Sequence, residues 1–290
     1  MQPRVIRGTI TRRADGLWWL SLTAEIPQQV RTTPTRRQRR NGAVGVDLGV
    51  RHTATLSTRP GRVHNPRYLE CALEELRRSQ KHLARCQPDS ARYAKAKARA
   101  GLIHADVARL RDQYLHRLST RLASRFEAVG VEGYDVKAML QHGSKDLPRW
   151  LRKQRNRALA DSGLGTLREQ LRYKTERHGS RLTVTESTAP TGRTCSACGQ
   201  PRTKAVHPWH ELFVCDNPTC GHIRPRRLNT ARVLARMAAG EEPGTPHGRS
   251  DPPRGGEVRP EGPRPGRRSP MKRVARTRPR GRGETGTSGP

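Results

Sequence analysis

Residues 43–58 read AVGVDLGVRHTATLST. A short apolar run ends there in Asp47, a sharp Leu48-Gly49 turn follows, and a second run rich in Thr, Ala and Leu begins. Runs of this length between turn residues are typical of strands that are buried within a sheet. The stretch therefore predicts two neighbouring strands, with an acidic side chain at the end of the first.

The same pattern returns further along the chain. Residues 128–134 (AVGVEGY) form a second apolar run that ends near Glu132, and residues 181–187 (RLTVTES) predict another strand. Helical patterns near 163–178 and 227–239 follow these strands, and strands that alternate with helices indicate an α/β domain. Two acids at the ends of adjacent strands are costly to bury unless they bind a metal ion or pair with a base.

The segments around this domain have distinct compositions. Leucine spacing predicts a two-helix hairpin over 66–127, and Pro88 marks the break between its helices. Residues 4–26 predict a β-hairpin, and 28–42 read as a basic linker. Residues 240–290 are rich in proline, glycine and arginine and nearly lack large apolar side chains, so we expect this tail to be disordered.

Two pairs of cysteines form the most specific motif in the chain. Cys195 and Cys198 are three positions apart, and Cys215 and Cys220 are five apart, each pair being followed by a glycine. Zn²⁺ prefers four soft ligands in a tetrahedron, and this spacing supplies two knuckles of a zinc ribbon. Two disulfides or free thiols are the alternatives, but disulfides are rare in the cytosol.

Other histidines and cysteines fit less specific roles. His207, His210 and His222 lie near the ribbon, but four cysteines already complete a site, so we expect these side chains at the surface or against phosphate groups. Cys71 and Cys86 lie in the helical hairpin and read as plain buried thiols.

The charge balance points to a polyanionic partner. The chain has 58 Lys and Arg against 25 Asp and Glu, a formal net charge of +33. Such a charge predicts nucleic-acid binding, mainly through phosphate contacts because aromatic residues make up only 4% of the chain. No apolar run approaches a membrane span and the N-terminus lacks a signal-peptide core, so we expect a cytoplasmic protein without a membrane partner.

The chain carries five motifs in a fixed order: GVDLGV at 45–50, VGVEGYDVKAML at 129–140, LREQLRYKTERHG at 167–179, TCSACG at 194–199 and FVCDNPTCGH at 213–222. In this order they resemble the motifs of the TnpB (OrfB) proteins of bacterial insertion sequences. The resemblance implies an α/β fold of the RNase H-like (RuvC) type. It also implies an RNA-guided DNA endonuclease that uses Mg²⁺, with DNA and a guide RNA as partners and with Asp47 and Glu132 as ligands of the metal ions.

The resemblance also implies a domain organisation. Residues 1–27 would be the remnant of an N-terminal barrel, and 43–193 the RuvC-like domain with the helical hairpin inserted. A zinc ribbon over 194–222 and a final RuvC-like helix over 223–239 would complete the fold.

The sequence departs from the family where the third catalytic acid is expected. The usual Asp-Arg-Asp-x-Asn-Ala-Ala motif is replaced by PRRLNTA at 225–231, which puts Arg227 in the position of an acidic ligand. A guanidinium repels Mg²⁺ but can pair with Asp47 and Glu132. Glu186 offers a weak substitute for the missing acid, and Asn229 reads as a helix cap.

Three functions are compatible with the sequence. The substitution favours a transposon-associated nucleic-acid-binding protein that is inactive as a nuclease. The alternatives are an active RNA-guided endonuclease, and a decayed insertion-sequence remnant or generic zinc-ribbon binder. Whether the chain is an enzyme is therefore undecided from the sequence.

Overall fold

A computed structural model describes residues 4–13, 16–25, 30–59, 61–142, 147–203 and 210–241. These residues form a mixed α/β structure around a five-stranded sheet, flanked by two small two-stranded sheets. The C-terminal tail is predicted to be disordered, and its residues 242–290 lie outside the described ranges. None of the described helices is both long enough and apolar enough to cross a membrane.

The first small sheet is the predicted N-terminal hairpin. Strand β1 (Arg4–Arg12) pairs antiparallel with β2 (Trp18–Glu25), and Trp18 lies opposite Arg12. Among the described residues this sheet has two strands, and its apolar side chains lie in the open, with Trp18 69% exposed. A two-stranded sheet of this kind is marginally stable on its own.

The central sheet has the strand order β5-β4-β3-β6-β7. Its strands are β3 (Ala43–Leu48), β4 (His52–Leu56), β5 (Arg62–His64), β6 (Ala128–Glu132) and β7 (Arg181–Thr185). Strands β3, β6 and β7 run parallel, whereas β3, β4 and β5 form an antiparallel meander. The strands predicted from residues 43–58, 128–134 and 181–187 are therefore present, and β5 is an addition that its length of three residues concealed.

Helices cover both faces of this sheet. The helical hairpin forms as α2 (Tyr68–Ala84) and α3 (Ala91–Arg125), with the break around Pro88 that the sequence predicts, and α6 (Leu164–Arg177) packs beside α3. Leucines of α3 and α6 join the strand residues Val44, Val46, Val129 and Val131 in one buried cluster. Because side chains alternate along a strand, the residues between these valines face the opposite side.

The opposite face belongs to the last helix, α7 (Arg226–Ala239). The strands present Gly45 and Gly130 there, and an added Cβ would lie 1.7 Å from the carbonyl oxygen of Ala231 or 2.2 Å from that of Leu234. The backbone of α7 therefore lies directly on the backbone of β3 and β6. This close contact fixes the first turn of α7 relative to the carboxyl ends of both strands.

The predicted basic linker at 28–42 is wrong in its second half. Residues Arg36–Asn41 form a short helix, α1, which begins with a capping box between Thr35 and Gln38. The Gln38 side chain is completely buried and donates to the carbonyl oxygens of Ala123 (2.9 Å) and His178 (3.1 Å). The arginine-rich composition concealed this anchored segment, which ties the start of β3 to α3 and α6.

The remaining elements lie between β6 and α7 in the sequence. Helices α4 (Val136–His142) and α5 (Arg149–Ser162) precede α6, and the sequence pattern did not predict them. Strands β8 (Leu212–Val214) and β9 (Ile223–Pro225) form the second small sheet, next to α7.

Candidate functional site

The two acids lie side by side at the carboxyl edge of the central sheet. Asp47 is the last residue but one of β3, and Glu132 is the last residue of β6. These parallel strands are in register, with Val46 opposite Val131. Both acids share the strand face of Gly45 and Gly130, so they point to the side that α7 covers. Asp47 is only 4% exposed. The sequence-based expectation that these acids meet at one edge is met by the strand pairing.

Arg227, in the first turn of α7, reaches the acid of β3. Its Nη1 donates to Oδ1 of Asp47 at 3.3 Å and to Oδ2 at 3.2 Å, and it also lies 3.4 Å from the carbonyl oxygen of Leu48. The absence of a side chain at Gly49 makes room for the guanidinium, since a Cβ there would lie 2.7 Å from Nη1. The predicted pairing of Arg227 with Asp47 is thus formed.

Glu132 has a different partner from the one expected. Its Oε1 accepts a short hydrogen bond from the hydroxyl of Thr191, and among the described residues no hydrogen bond joins Glu132 to Arg227. The predicted pairing of Arg227 with both acids is therefore wrong for Glu132, because Thr191 takes that position and Arg227 is directed to β3. Thr191 was missed from the sequence, where a lone threonine in a loop carries no signal. Glu186, the weak substitute, follows β7 and is exposed.

Burial raises the pKa of both acids. The pKa of Asp47 rises from 3.8 to about 6 because of desolvation, although the charge and hydrogen bond of Arg227 and the charge of Arg226 oppose the rise. The pKa of Glu132 rises from 4.5 to about 7, again by desolvation, against the hydrogen bond from Thr191 and with a contribution from the charge of Asp47. One guanidinium therefore offsets only part of the cost of burying this pair.

The four predicted cysteine ligands converge on one point. The sulfur atoms of Cys195, Cys198, Cys215 and Cys220 all lie within 4.8 Å of one another. Positive φ angles at Gly199 (76°) and Gly221 (58°) shape the turns after each pair, where glycine avoids a steric penalty. These four side chains could hold a metal ion, and their donor set of four thiols is the one that soft or borderline metals such as zinc prefer.

The histidines and other cysteines stay out of this cluster. The Nε2 atom of His222 lies 3.3 Å from the hydroxyl of Ser196, His210 is exposed, and His207 lies outside the described residues. Cys86 is buried as predicted, but Cys71 is exposed, because it lies on the outer side of α2.

Asn229 does not cap a helix. Helix α7 begins after Pro225, and Asn229 sits one turn inside it, with a side chain that is 0% exposed. It donates from Nδ2 to the carbonyl oxygen of Thr194 at 2.7 Å and accepts at Oδ1 from the backbone N–H of Ser196 at 2.9 Å. These two residues flank Cys195, so the predicted capping role is wrong and Asn229 belongs to the surroundings of the cysteine cluster.

Comparisons with known proteins agree with this arrangement. A model of the OrfB family, described as "Probable transposase", matches residues 25–142, which include both acidic strands. A second model, "Cas12f1-like, TNB domain", matches residues 165–234, which include the cysteine cluster and Arg227. The two models together match most of the central sheet and the cysteine cluster, and the first of them describes a transposase-associated family.

Curated relatives point the same way. The chain is 38% identical over 223 residues to the "Putative RNA-guided DNA endonuclease Rv2885c" of Mycobacterium tuberculosis, covering 74% of this chain and 46% of the relative. It is 31% identical over 235 residues to a "Putative RNA-guided DNA endonuclease" of Streptomyces pristinaespiralis, covering 80% and 52%. The chain spans about half the length of these curated relatives. It belongs to the OrfB (TnpB) family of insertion-sequence proteins.

A solved structure is also similar. The cryo-EM structure of a Cas12f1–sgRNA–target DNA complex matches with a TM-score of 0.43 and 13% identity, covering 78% of this chain and 55% of the other.

Proposed function

We propose that this chain is a nucleic-acid-binding member of its family that is inactive as a nuclease, and that its sheet is an RNase H-like (RuvC) domain. The observation that carries the proposal is the guanidinium of Arg227 at 3.2 Å from Asp47. Two-metal phosphodiester cleavage needs acidic ligands that concentrate positive ions at the reacting phosphate. Here a fixed cation from the chain, the guanidinium of Arg227, faces Asp47. Arg227 occupies the position at which the family has its third acid.

The side chains at this edge do not fit Mg²⁺. Magnesium takes an octahedron of oxygen ligands, whereas Asp47 is bound to Arg227 and Glu132 accepts from Thr191. A bound Mg²⁺ would also lie beside the guanidinium charge, which no described acid other than Asp47 pairs with. In this arrangement the described residues at the edge of the sheet offer no set of free acidic ligands for metal-dependent cleavage.

DNA and a guide RNA are the partners that we propose. Relatives of this chain carry the name "Putative RNA-guided DNA endonuclease". The net charge of +33 supplies the attraction to phosphate groups that such partners require. Loss of cleavage leaves this attraction in place, because Arg and Lys across the surface carry it.

We propose that the cysteine cluster holds zinc in a structural role. Four thiolates fill a tetrahedral site and leave no position for a substrate, which is the pattern of structural zinc. The proposed ribbon spans 194–222, and β9 and α7 follow it. The proposed RuvC-like domain spans 43–193, with the helical hairpin inserted between β5 and β6.

One observation favours a second candidate, an active endonuclease. The Arg227 side chain is 41% exposed, so the guanidinium could leave Asp47 for solvent or for a phosphate when nucleic acid binds. In that state Asp47 and Glu132 would face the substrate without a fixed cation between them.

A cleavage assay separates the two candidates. The protein is incubated with Mg²⁺, RNA transcribed from its own element and matching DNA, and compared with Asp47→Ala and Arg227→Asp. We expect binding without cleavage by the unaltered protein. Cleavage that disappears in Asp47→Ala would overturn the inactive assignment.

Metal titration gives a second readout that needs no guide. Calorimetry with Mn²⁺ should detect no binding at the acids in the unaltered protein and binding in Arg227→Asp. Arg226→Asp is the matched control, since it makes the same change of charge one residue away, and we expect it to bind no more Mn²⁺ than the unaltered protein.

A further inference from the structure

The first turn of α7 lies between the acidic edge of the sheet and the cysteine cluster. Arg227 and Asn229 are two positions apart, which places their side chains about 200° apart around a helix. Arg227 accordingly contacts Asp47 on one side, and Asn229 faces the segment around Cys195 on the other. One helical turn is therefore attached to both candidate centres.

The attachment to the cysteine cluster uses both functional groups of one side-chain amide. Asn229 donates to the carbonyl of Thr194 and accepts from the N–H of Ser196, so the backbone is held immediately before and after Cys195. The carboxamide offers a donor and an acceptor at this spacing, whereas an ionised carboxylate would face the Thr194 carbonyl with a second acceptor. Cys195 is completely buried at this junction.

A further contact supports the same docking. The backbone N–H of Arg226 donates to the carbonyl oxygen of Glu211 at 2.7 Å, just before β8. The start of α7 is thus bound to Thr194, before the first cysteine pair, and to Glu211, after it. A shift of the Cys195 segment would have to break the Asn229 bonds or move the helix.

We infer that Asn229 is a positioning residue that holds Cys195 in ligand geometry and transmits metal occupancy of the cysteine cluster to the first turn of α7. This inference rests on the proposed zinc site. Metal binding would fix the Cys195 segment, the segment would fix Asn229 through its two hydrogen bonds, and the helix would present Arg227 to Asp47. Outer residues that orient a ligand typically change metal affinity 10- to 100-fold when they are replaced.

Zinc affinity tests the inference directly. The affinity of full-length Asn229→Ala for zinc is measured by competition with a chromogenic chelator and compared with that of Thr230→Val. Thr230 is a buried neighbour whose hydroxyl bonds only within α7, to the carbonyl of Arg226 at 3.2 Å, so it is a matched control. We expect Asn229→Ala to bind zinc at least about tenfold more weakly, and Thr230→Val to bind like the unaltered protein.

Hydrogen exchange of the unaltered protein tests the inference even if Asn229→Ala does not fold. Removal of zinc by a chelator should speed exchange in the peptide containing 226–231 and leave the α2–α3 hairpin unchanged. Equal affinity of both variants for zinc, or no change of exchange in 226–231, would overturn the inference. Failure of the unaltered protein to bind one zinc per chain would instead remove the proposed zinc site.

Discussion

The coupling between Arg227 and Asp47 should depend strongly on pH. Burial raises the pKa of Asp47 from its ordinary value of 3.8 to about 6, so in the folded chain this carboxyl is mostly ionised only above about pH 6. An arginine attracts the ionised form and not the neutral acid. The pair therefore contributes to stability at pH 8 and contributes almost nothing at pH 5.

The structure sets the size of this contribution. Exposed ion pairs contribute about 0.2–1 kcal/mol, whereas removing one partner of a buried pair costs about 3–5 kcal/mol. Asp47 is buried, but Arg227 is 41% exposed and its charge is partly screened by water. We expect a coupling free energy of about 1–2 kcal/mol at pH 8 and below about 0.5 kcal/mol at pH 5.

A double-mutant cycle measures this term. Urea unfolding of the unaltered protein, Arg227→Met, Asp47→Asn and the double variant is followed by circular dichroism at both pH values, with zinc present. The cycle cancels pH effects that are common to all four proteins. The parallel cycle with Arg226→Met is the control, because Arg226 acts on Asp47 through its charge alone, and its coupling should stay below about 0.5 kcal/mol.

Two outcomes would refute the reasoning. An equal coupling at pH 5 and pH 8 would mean that Asp47 does not change its ionisation in this range. No coupling at pH 8 would mean that the guanidinium does not stabilise Asp47 in solution.

Three other measurements test separate parts of the structure. Gly45→Ala should destabilise the chain by about 3 kcal/mol or more in urea unfolding, because its Cβ meets the backbone of α7. Gly165→Ala, in the first turn of α6 where nothing lies within 4 Å of an added Cβ, should stabilise the chain by about 0.4–1 kcal/mol. Similar effects of the two substitutions would contradict the close packing at Gly45. Glu132→Gln keeps an acceptor for Thr191 and removes a carboxyl whose pKa is raised from 4.5 to about 7, so the unaltered protein loses stability as pH rises from 4.5 to 7. The free energy of unfolding of the variant should therefore exceed that of the unaltered protein by about 2–3 kcal/mol at pH 8 and equal it at pH 4. A difference that is independent of pH would argue against a buried ionised acid. Affinity for single-stranded RNA, measured by fluorescence anisotropy, should fall by about 10³ or more between 50 and 200 mM salt, and a flat response would exclude phosphate contacts as the main attraction.

The central sheet was largely predictable because its signals are local. Apolar runs bounded by turns located β3, β6 and β7, and the leucine spacing located the helices that cover them. The acids at the ends of two such runs had to come together once the strands were parallel neighbours. Arg227 could be placed near Asp47 because the sequence resemblance aligned it with the position of an acidic ligand.

What the sequence could not provide were the long-range polar contacts. Nothing near Gln38 indicates that it is buried against residues 85 and 140 positions away, so its helix was read as linker. Thr191 and Asn229 gain their roles from partners on other elements, and neither residue type is distinctive in a loop or a helix. Polar side chains whose hydrogen-bond partners are distant in the sequence are thus the class that the sequence pattern did not predict.

The close approach of α7 to Gly45 and Gly130 also has a consequence for synthesis of the protein. Strand β3 leaves the ribosome roughly 180 residues before α7 does, and β6 roughly 90 residues before it. During that interval the bare glycine face of these strands, with Asp47 and Glu132 at its edge, has none of the cover that α7 will later give it. The packing of α7 on this face of the sheet must therefore be a late step in folding of the nascent chain, because it cannot begin until α7 has been translated.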